Sequence, residues 1–367
     1  MNPSIDFDER LRVRTLGFHL PRPGSRTSTR YQRPAEPTWA EVAEQVRSTP
    51  DPAPLRGFSM CVSRRRVVLA ELADGRHVLI KWPDDGLDQD TGHELRMLGL
   101  MAELPLPRPT RAAIPRVLTD PDRRISVYEA IDPCESMREL SDRGGLTTAH
   151  IVALAGVLAG LHTTPVDDLA AANPDLRVPM PAPKNTLLSV REYSYGLGME
   201  YDEWLRVIQS LSGHWAALHR TWQPRSLLHF DLRDDNVLFA TGDLRVIDWE
   251  FACLGDPAYD VGHLITQFVL PAVRRWQPGS PLMPPEVLGR IGTFLTAYLR
   301  FSGYGTELPA TAVRYAGLVL LQHAGAQLEQ FGSLDRTGHL ALVLAEGLVR
   351  KPETLLKNLH LDLPESS

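Results

Sequence analysis

Residues 229–250 of the chain read H-F-D-L-R-D-D-N-V-L-F-A-T-G-D-L-R-V-I-D-W-E. His229, Asp231 and Asn236 fall in one short polar segment, and Asp248 follows an apolar run twelve residues after Asn236. The pattern predicts a polar loop and then two short strands, with Asp248 directly after the second. Two carboxylates and one amide at this spacing are able to bind magnesium and to orient a hydroxyl group. Phosphoryl transfer requires little more from a protein than such positioning and charge neutralisation.

Each polar residue of this stretch suits one task. We expect Asp231 to orient the hydroxyl of an acceptor and to take its proton, because a carboxylate can bond a hydroxyl and still accept the proton late. Asn236 and Asp248 are the candidate magnesium ligands, since that cation prefers a few hard oxygen ligands and completes its shell with water and phosphate. His229 has no nucleophile beside it in the sequence, so we expect it to brace the loop by hydrogen bonding.

A lysine and a glutamate earlier in the chain form a second candidate pair. Lys81 ends the strand-like run V-L-I-K, thirteen residues before Glu94 on a predicted helix. An ammonium at this place would neutralise the α- and β-phosphates of a nucleotide, and Glu94 would hold it in position. A lysine at a strand end is by itself more often a surface residue, and the polar loop downstream is what favours the phosphate-binding interpretation.

Two further segments carry weaker signals for nucleotide binding. The run L-R-G-F-S over 55–59 offers one glycine and the hydroxyl of Ser59 to a phosphate, but an ordinary turn that enters a strand fits equally well. The run V-Y-E-A-I over 127–131 lies where two lobes should join. Backbone groups of Glu129 and Ile131 are the candidates there to bond adenine, and a plain connecting strand is the alternative.

Composition limits the class of protein. At 367 residues the chain is long enough for two domains or for one bilobal unit, and its net charge of −6 argues against a dedicated nucleic-acid binder. Cys61, Cys134 and Cys253 are far apart and form no C-x-x-C motif, so we expect neither a disulfide framework nor a zinc site. The sequence shows no signal peptide and no apolar run of transmembrane length, so we expect no membrane partner and a cytoplasmic location.

The chain divides into three parts. Residues 1–37 form an irregular arm, and its first 35 residues contain seven arginines against three acidic residues, so the other 332 residues carry about −10 by subtraction from the total. Residues 38–131 read as a small lobe with an antiparallel sheet and one packed helix, and residues 132–360 as a larger, mainly helical lobe. The predicted fold class is therefore α+β, with a bilobal architecture.

The predicted elements follow from hydrophobic period, caps and turn residues. A capping box at Thr38 opens a first helix that ends near Arg47, and Asp74-Gly75 marks the turn of a hairpin. Strands are expected over 67–72, 77–82, 113–118 and 125–130, and helices over 93–101, 147–162, 200–220, 259–270, 285–301, 309–330 and 337–359, with a further helix cap at Ser189 and a loop over 165–188.

These features together resemble the aminoglycoside phosphotransferase and choline kinase-like superfamily, which has the bilobal protein-kinase fold. The resemblance covers about 38–350 and is specific in L-L-H-F-D-L-R-D-D-N-V-L-F, in V-I-D-W-E-F-A-C-L-G-D-P-A-Y-D-V-G and in G-L-H-T-T-P. It implies that Asp231 is the catalytic base, that Asn236 and Asp248 are magnesium ligands, and that Lys81 binds phosphate. The implied cofactors are Mg²⁺ and ATP, with GTP as the alternative nucleotide.

Two positions depart from the pattern of this superfamily. Phe230 stands where a glycine is commoner after the histidine, and Asp235 stands where a small residue commonly precedes the asparagine. Protein kinases carry an arginine before the catalytic aspartate, and this arginine pairs with a phosphorylated activation loop. Phe230 has no charge to form such a pair, so we expect no switch by loop phosphorylation.

The leading hypothesis is an ATP- and magnesium-dependent O-phosphotransferase that acts on a hydroxyl-bearing small molecule or natural-product intermediate. A second hypothesis keeps the chemistry and takes Ser or Thr of a precursor peptide as acceptor, with the basic arm holding an acidic peptide or a protein partner. A third is a nucleotide-binding scaffold without catalysis. The third is disfavoured because every catalytic group is present in the sequence.

Overall fold

The computed structural model of the chain describes residues 35–61, 66–83, 88–119, 125–181, 199–359 and 361. The predicted arm lies outside these residues except for its last three, and so does the helix cap predicted at Ser189.

A four-stranded antiparallel sheet forms the first lobe, in the order β1 (Leu55–Met60), β2 (Val67–Leu72), β3 (His77–Lys81) and β4 (Ser126–Ala130). The predicted hairpin is β2 and β3. Its turn contains Gly75 at a φ of 86°, a conformation that glycine adopts without the steric cost that a Cβ brings. Because Lys81 is the last residue of β3, its side chain lies at the end of the sheet that faces the second lobe.

The first helix, α1 (Trp39–Arg47), begins where the capping box predicted it. The Thr38 hydroxyl accepts from the Glu41 N–H at 3.3 Å, and the Glu41 carboxylate accepts from the Thr38 N–H at 2.7 Å. The helix packs on the sheet and closes a small apolar core, whose members include Val42, Val46, Val68, Ile80 and Val127.

A longer helix than predicted connects the lobes. The sequence indicated a helix over 93–101, and the structure has α2 (Asp88–Glu103). Its buried residues Leu95, Met97 and Met101 belong to the large core of the second lobe rather than to the small core of the sheet. The position of Glu94 on α2 is therefore fixed by packing between the lobes.

The strand predicted over 113–118 is wrong in most of its length. A short helix, α3 (Arg108–Ala113), precedes a single bridge between Val117 and Tyr128. Proline in the first turn favours a helix start, and here Pro109 occupies that turn. The Thr110 hydroxyl then donates to the carbonyl of Val157 at 3.1 Å and ties the helix to the second lobe.

In the part of the second lobe that the structure describes, helices dominate and two small sheets carry the polar loops. Its helices are α4 (Met137–Asp142), α5 (Thr148–Thr163), α6 (Asp167–Ala172), α7 (Met199–Ser210), α8 (Ser212–Thr221), α9 (Pro257–Arg275), α10 (Pro285–Ser302), α11 (Leu308–Phe331), α12 (Arg336–Arg350) and α13 (Pro352–Lys357). One sheet contains β5 (Glu135–Ser136), β7 (Val237–Ala240) and β8 (Asp243–Val246), and the other contains β6 (Ser226–Leu228) and β9 (Cys253–Gly255), with 3₁₀ turns at Pro174–Leu176 and Trp249–Phe251.

Two predicted helices are divided in the structure. The helix predicted over 200–220 is interrupted at Leu211, between α7 and α8. The helix predicted over 337–359 is interrupted at Lys351, because Pro352 cannot donate a backbone hydrogen bond to continue α12. None of the described helices combines the length and the apolar composition needed to span a bilayer.

The hairpin of β7 and β8 brings the two polar loops together. Val237 pairs with Val246, so the residue before β7 and the residue after β8 lie side by side. The Ile247 N–H donates to the Asn236 carbonyl at 2.9 Å, which extends the pairing by one step. Asn236 and Asp248 are therefore at the same end of the hairpin, facing the first lobe. The whole is the α+β, bilobal fold that the sequence predicted.

Candidate active site

Lys81 joins the two lobes through two carboxylates. Its Nζ lies 3.2 Å from each oxygen of Glu94 and 3.0 Å from Oδ1 of Asp248. The Glu94 side chain also accepts from the hydroxyl of Tyr128 at 3.1 Å and from the N–H of Trp249 at 3.2 Å. With three donors around it, Glu94 is held rigidly at 1% exposure.

Electrostatics keep the Lys81 ammonium charged. Burial alone would lower the pKa of Lys81, but the attraction of Glu94 and then of Asp248 outweighs burial and raises this pKa above its usual range. The cleft between the lobes thus contains a fixed cation, as phosphate binding requires.

Asp248 occupies a turn that few side chains adopt. Its φ is 70° and its ψ is 60°, in the left-handed region, immediately before the 3₁₀ turn Trp249–Phe251. The Trp249 indole is buried and donates to the carbonyl of Val246 at 2.7 Å. This bond ties the residue after Asp248 to the strand before it. The turn aims the Asp248 carboxylate at Lys81.

A buried aspartate on α9 shapes the loop that contains Asp231. Asp260, fully buried, accepts from the N–H of His229 at 2.8 Å and from the N–H of Phe230 at 2.9 Å, one bond to each carboxylate oxygen. His162 lies 3.4 Å from the same carboxylate and 2.7 Å from the hydroxyl of Tyr298. Burial alone would raise the pKa of Asp260, but the hydrogen bond and charge of His162 hold this pKa below its usual range.

His229 braces the loop, as its sequence context led us to expect. Its Nε2 donates to the carbonyl of Ile247 at 2.9 Å, and its Nδ1 accepts from the N–H of Asp231 at 3.3 Å. These partners assign the neutral tautomer with the proton on Nε2. The ring therefore connects the loop before β7 to the chain after β8.

The Asp231 carboxylate lies in the cleft with three polar neighbours. Oδ2 is 3.1 Å from Nε of Arg233 and 3.5 Å from Nδ2 of Asn236, while Oδ1 is 3.9 Å from Nε2 of His263. About a quarter of its side chain is exposed. The carboxylate is therefore open to a ligand on one side and positioned by neighbours on the other.

The geometry of Asn236 fits a cation. Its Nδ2 donates to the Asp231 carbonyl at 2.9 Å, so the amide nitrogen is used within the loop and Oδ1 is the atom available to a metal. Asn236 and Asp248 offer one neutral and one anionic oxygen ligand, a set suited to Mg²⁺. The described residues contain no group of three His, Cys, Asp or Glu that would suggest a different metal site.

The remaining candidates for nucleotide binding are not brought to this cluster. Ser59 lies within β1, exposed and paired with Leu69, rather than in a loop before a strand. Glu129 is exposed near the end of β4, and Ile131 follows that strand at the connection between the lobes. Their contacts with a nucleotide stay predictions.

Sequence reasoning missed Arg233 and His263. Arg233 is part of the quoted stretch, and only the turn of the loop places it against Asp231. His263 follows Asp260 by one helical turn, so the two residues share a face of α9. A helix predicted from near Asp256 would have placed His263 beside the loop that Asp260 contacts. Asp256 itself caps α9 by accepting from the Ala258 N–H at 3.0 Å.

The chain is similar to known proteins in sequence over much of its length and in fold. The family model described as "Phosphotransferase enzyme family" matches residues 55–312. No curated protein matches the sequence significantly. Among solved structures, the GDP and kanamycin complex of APH(2")-IIia is similar at 16% identity and a TM-score of 0.51, over 88% of this chain and 98% of that one. At such identity the likeness concerns the fold alone.

Two other solved structures are similar at lower TM-scores. The choline/ethanolamine kinase family protein from Mesorhizobium loti has 16% identity over 87% of this chain and 97% of its own, with a TM-score of 0.48. The macrolide 2'-phosphotransferase MphH from Brachybacterium faecium has 18% identity over 85% and 97%, with a TM-score of 0.47.

The family model spans both lobes and includes Lys81, Glu94, Asp231, Asn236 and Asp248. The predicted class of enzyme, a phosphotransferase of the kinase type, is confirmed. The chain belongs to the phosphotransferase enzyme family.

Proposed function

We propose that this protein transfers the γ-phosphate of ATP, with Mg²⁺, to a hydroxyl group of a small molecule. The observation that carries the proposal is the position of Lys81. Its ammonium is hydrogen-bonded to Glu94 of the first lobe and to Asp248 of the second, in the cleft where the Asp231 carboxylate is also exposed.

The nucleotide side of the reaction belongs to Lys81, Asn236 and Asp248. Lys81 would bind the α- and β-phosphates, with Glu94 retaining it when Asp248 exchanges the ammonium for a cation. Asn236 and Asp248 would hold Mg²⁺. When bound, the cation neutralises the negative charge of the β- and γ-phosphates.

The acceptor side belongs to Asp231. Its carboxylate would accept a hydrogen bond from the acceptor hydroxyl and align the oxygen with the γ-phosphorus. As the new O–P bond forms, the bond from phosphorus to the bridging oxygen of ADP breaks, and the hydroxyl proton passes to Asp231. Arg233, with its Nε 3.1 Å from Asp231, holds the carboxylate in place.

A small molecule is the favoured acceptor, and the support for it comes from a structurally similar protein. The structurally similar APH(2")-IIia was solved with GDP and kanamycin, a nucleotide and a small hydroxylated ligand. The same relative makes GTP a nucleotide to test beside ATP. Ser or Thr of a peptide remains a second class of acceptor for the same assay.

The test is phosphate transfer from labelled ATP and GTP to a panel of aminoglycosides, macrolides, amino alcohols and Ser/Thr peptides. We expect transfer to at least one acceptor, and Asp231→Asn to reduce turnover by about 10²–10⁴-fold while ATP binding is retained. Asp243→Asn, at the exposed far turn of the β7–β8 hairpin, is the matched control and should be fully active.

Two outcomes would contradict the proposal. If Asp231→Asn transfers phosphate at the wild-type rate, Asp231 is not the residue that handles the hydroxyl. If the wild-type protein binds Mg-ATP and transfers phosphate to no member of the panel, a nucleotide-binding scaffold becomes the better description.

A further inference from the structure

His263 is a buried titratable residue that the proposed function does not use. It lies on α9, one turn after Asp260, and is 6% exposed. Asp260 faces the backbone of the loop that contains Asp231. The same face of the helix therefore presents His263 to the residues that follow in that loop.

The ring orientation of His263 is fixed by one backbone bond. Nδ1 lies 2.9 Å from the carbonyl oxygen of Leu232, and a carbonyl only accepts, so Nδ1 carries the proton of this bond. The other ring nitrogen, Nε2, faces Oδ1 of Asp231 at 3.9 Å. The imidazole therefore joins the backbone just after the catalytic residue to its carboxylate.

The charge state of the ring follows from its surroundings. Burial lowers the pKa of His263 below its usual value, although Asp231 and the Leu232 carbonyl act in the opposite direction. The ring is therefore neutral near pH 7, with a lone pair on Nε2. Two hydrogen-bond acceptors then face each other across 3.9 Å, a separation that is too long for a hydrogen bond and has no proton to form one.

We propose that His263 is a positioning residue that acts through Asp231, by accepting a hydrogen bond from Oδ1 once that carboxylate has taken the acceptor's proton. The inference rests on the proposed function of Asp231. In the transfer, the O–H bond of the acceptor breaks, its oxygen bonds to phosphorus, and ADP leaves with its bridging oxygen. The proton resides on Oδ1 of Asp231, between that oxygen and Nε2 of His263.

The arrangement also predicts an effect of pH. When His263 becomes an imidazolium at low pH, Nε2–H pairs with the Asp231 carboxylate and competes with the acceptor hydroxyl for it. The titratable groups that bear on His263 are Asp231 and His229 of the loop and Asp260 of its own helix, with the ring of Tyr259 6.2 Å away. Activity should therefore fall on the acid side as His263 takes up its second proton.

Two substitutions separate this role from simple packing. His263→Asn retains a donor close to the Leu232 carbonyl and removes the group that faces Asp231. His263→Gln extends an amide to the place of Nε2. We expect His263→Asn to lower kcat by about 10-fold or more with KM nearly unchanged and to remove the His263 step from the acid side of the pH profile. We expect His263→Gln to recover part of kcat.

A measurement without an acceptor tests the contact directly. Titration of the histidine ring signals by NMR should give a His263 pKa that falls by about one unit in Asp231→Asn, because the variant removes a carboxylate charge that raises this pKa. An unchanged His263 pKa would overturn the contact. Wild-type kcat and pH profile in His263→Asn would overturn the role while leaving the proposed function intact.

Failure of the proposed function looks different. If wild-type protein transfers phosphate to no acceptor, the role of His263 in transfer is overturned with it, even where the NMR titration registers its contact with Asp231.

Discussion

At the scale of single residues, the loop around Asp231 depends on a conformation that Phe230 adopts at a cost. Its φ is 71°, a value that suits glycine, the residue that the resemblance to the superfamily leads one to expect at this place. Such a conformation costs about 1–3 kcal/mol in a residue with a side chain. Phe230 is buried against the ring of Tyr259, with centroids 4.7 Å apart, and its N–H is bonded to Asp260. Burial and this hydrogen bond offset the cost, so the departure from glycine is compatible with the loop.

Asp260→Asn should destabilise the protein and disturb this loop. An amide can accept from only one of the N–H groups of His229 and Phe230, and the other is left buried without an acceptor, at a cost of about 1–3 kcal/mol. Urea unfolding near pH 7 checks this value. The control is Asp256→Asn, because asparagine caps a helix as well as aspartate does, and its unfolding free energy should be within about 0.5 kcal/mol of the wild-type value.

The difference in unfolding free energy between wild type and Asp260→Asn should also depend on pH, with a sign that follows from the pKa of Asp260. The pKa of Asp260 is lower in the folded state than in the unfolded chain. Its stabilising contribution is therefore complete above the unfolded pKa of about 4 and is lost as the pH falls through the folded pKa. The difference in unfolding free energy between wild type and Asp260→Asn should be constant from about pH 7 to about pH 5 and should narrow below about pH 4. If this difference in unfolding free energy widened below about pH 4, it would contradict the lowered pKa of Asp260 in the folded state.

At this scale the sequence predicted which residues form the candidate site, but it predicted fewer of the contacts between residues that are distant in the chain. Asp231, Asn236 and Asp248 lie in one local stretch, where loop and hairpin follow from turn residues and alternation. His263 is distant in sequence from Asp231, and the two meet only because Asp260 ties α9 to the loop. Such a contact depends on tertiary packing, which hydrophobic period alone does not specify.

At the scale of elements, local signals predicted local structure. The capping box at Thr38 marks the start of α1, and the Asp74-Gly75 turn joins β2 and β3. Where a predicted element differs from the structure, the cause is tertiary packing or a proline. The helix that Pro109 initiates extends to Ala113, the first residue of the strand predicted over 113–118, and Pro352 ends a helix predicted to continue. An apolar run has the same composition in a strand and in a buried helix, so the sequence alone does not separate them.

The contact between α9 and α11 requires a glycine. A Cβ on Gly262 would lie 2.5 Å from the carbonyl oxygen of Ala312 and 2.7 Å from Cβ of Tyr315. Gly262→Ala should therefore separate the helices and destabilise the protein by about 1–3 kcal/mol in thermal or urea unfolding. Gly289→Ala is the matched control, since nothing lies within 4 Å of its Cβ position in α10, and it should stabilise by about 0.5–1 kcal/mol. Equal effects of the two substitutions would contradict the close packing of α9.

At the scale of the whole molecule, the cleft is held by charges from both lobes. The two lobes have separate apolar cores, and Lys81 crosses between them to Asp248. The sequence predicted this arrangement from a lysine at a strand end and a helix with Glu94. The boundary between residues 131 and 132 and the role of the basic arm stay predictions. The identity of the acceptor also stays a prediction, because the type of no described side chain in the second lobe is enough to specify it.

The most direct measurement is calorimetric titration of ATP, with and without Mg²⁺, into wild type, Lys81→Met, Asp248→Asn and the control Lys357→Met, whose lysine is exposed on α13. If the triphosphate and cation lie between the lobes, wild type and Lys357→Met should bind Mg-ATP equally. Lys81→Met should bind it at least about 10-fold more weakly, for a lost charge-assisted bond of about 1.5–3 kcal/mol. Asp248→Asn should lose the gain in affinity that Mg²⁺ provides. Wild-type affinity and magnesium dependence in both site variants would contradict a nucleotide site at this cleft.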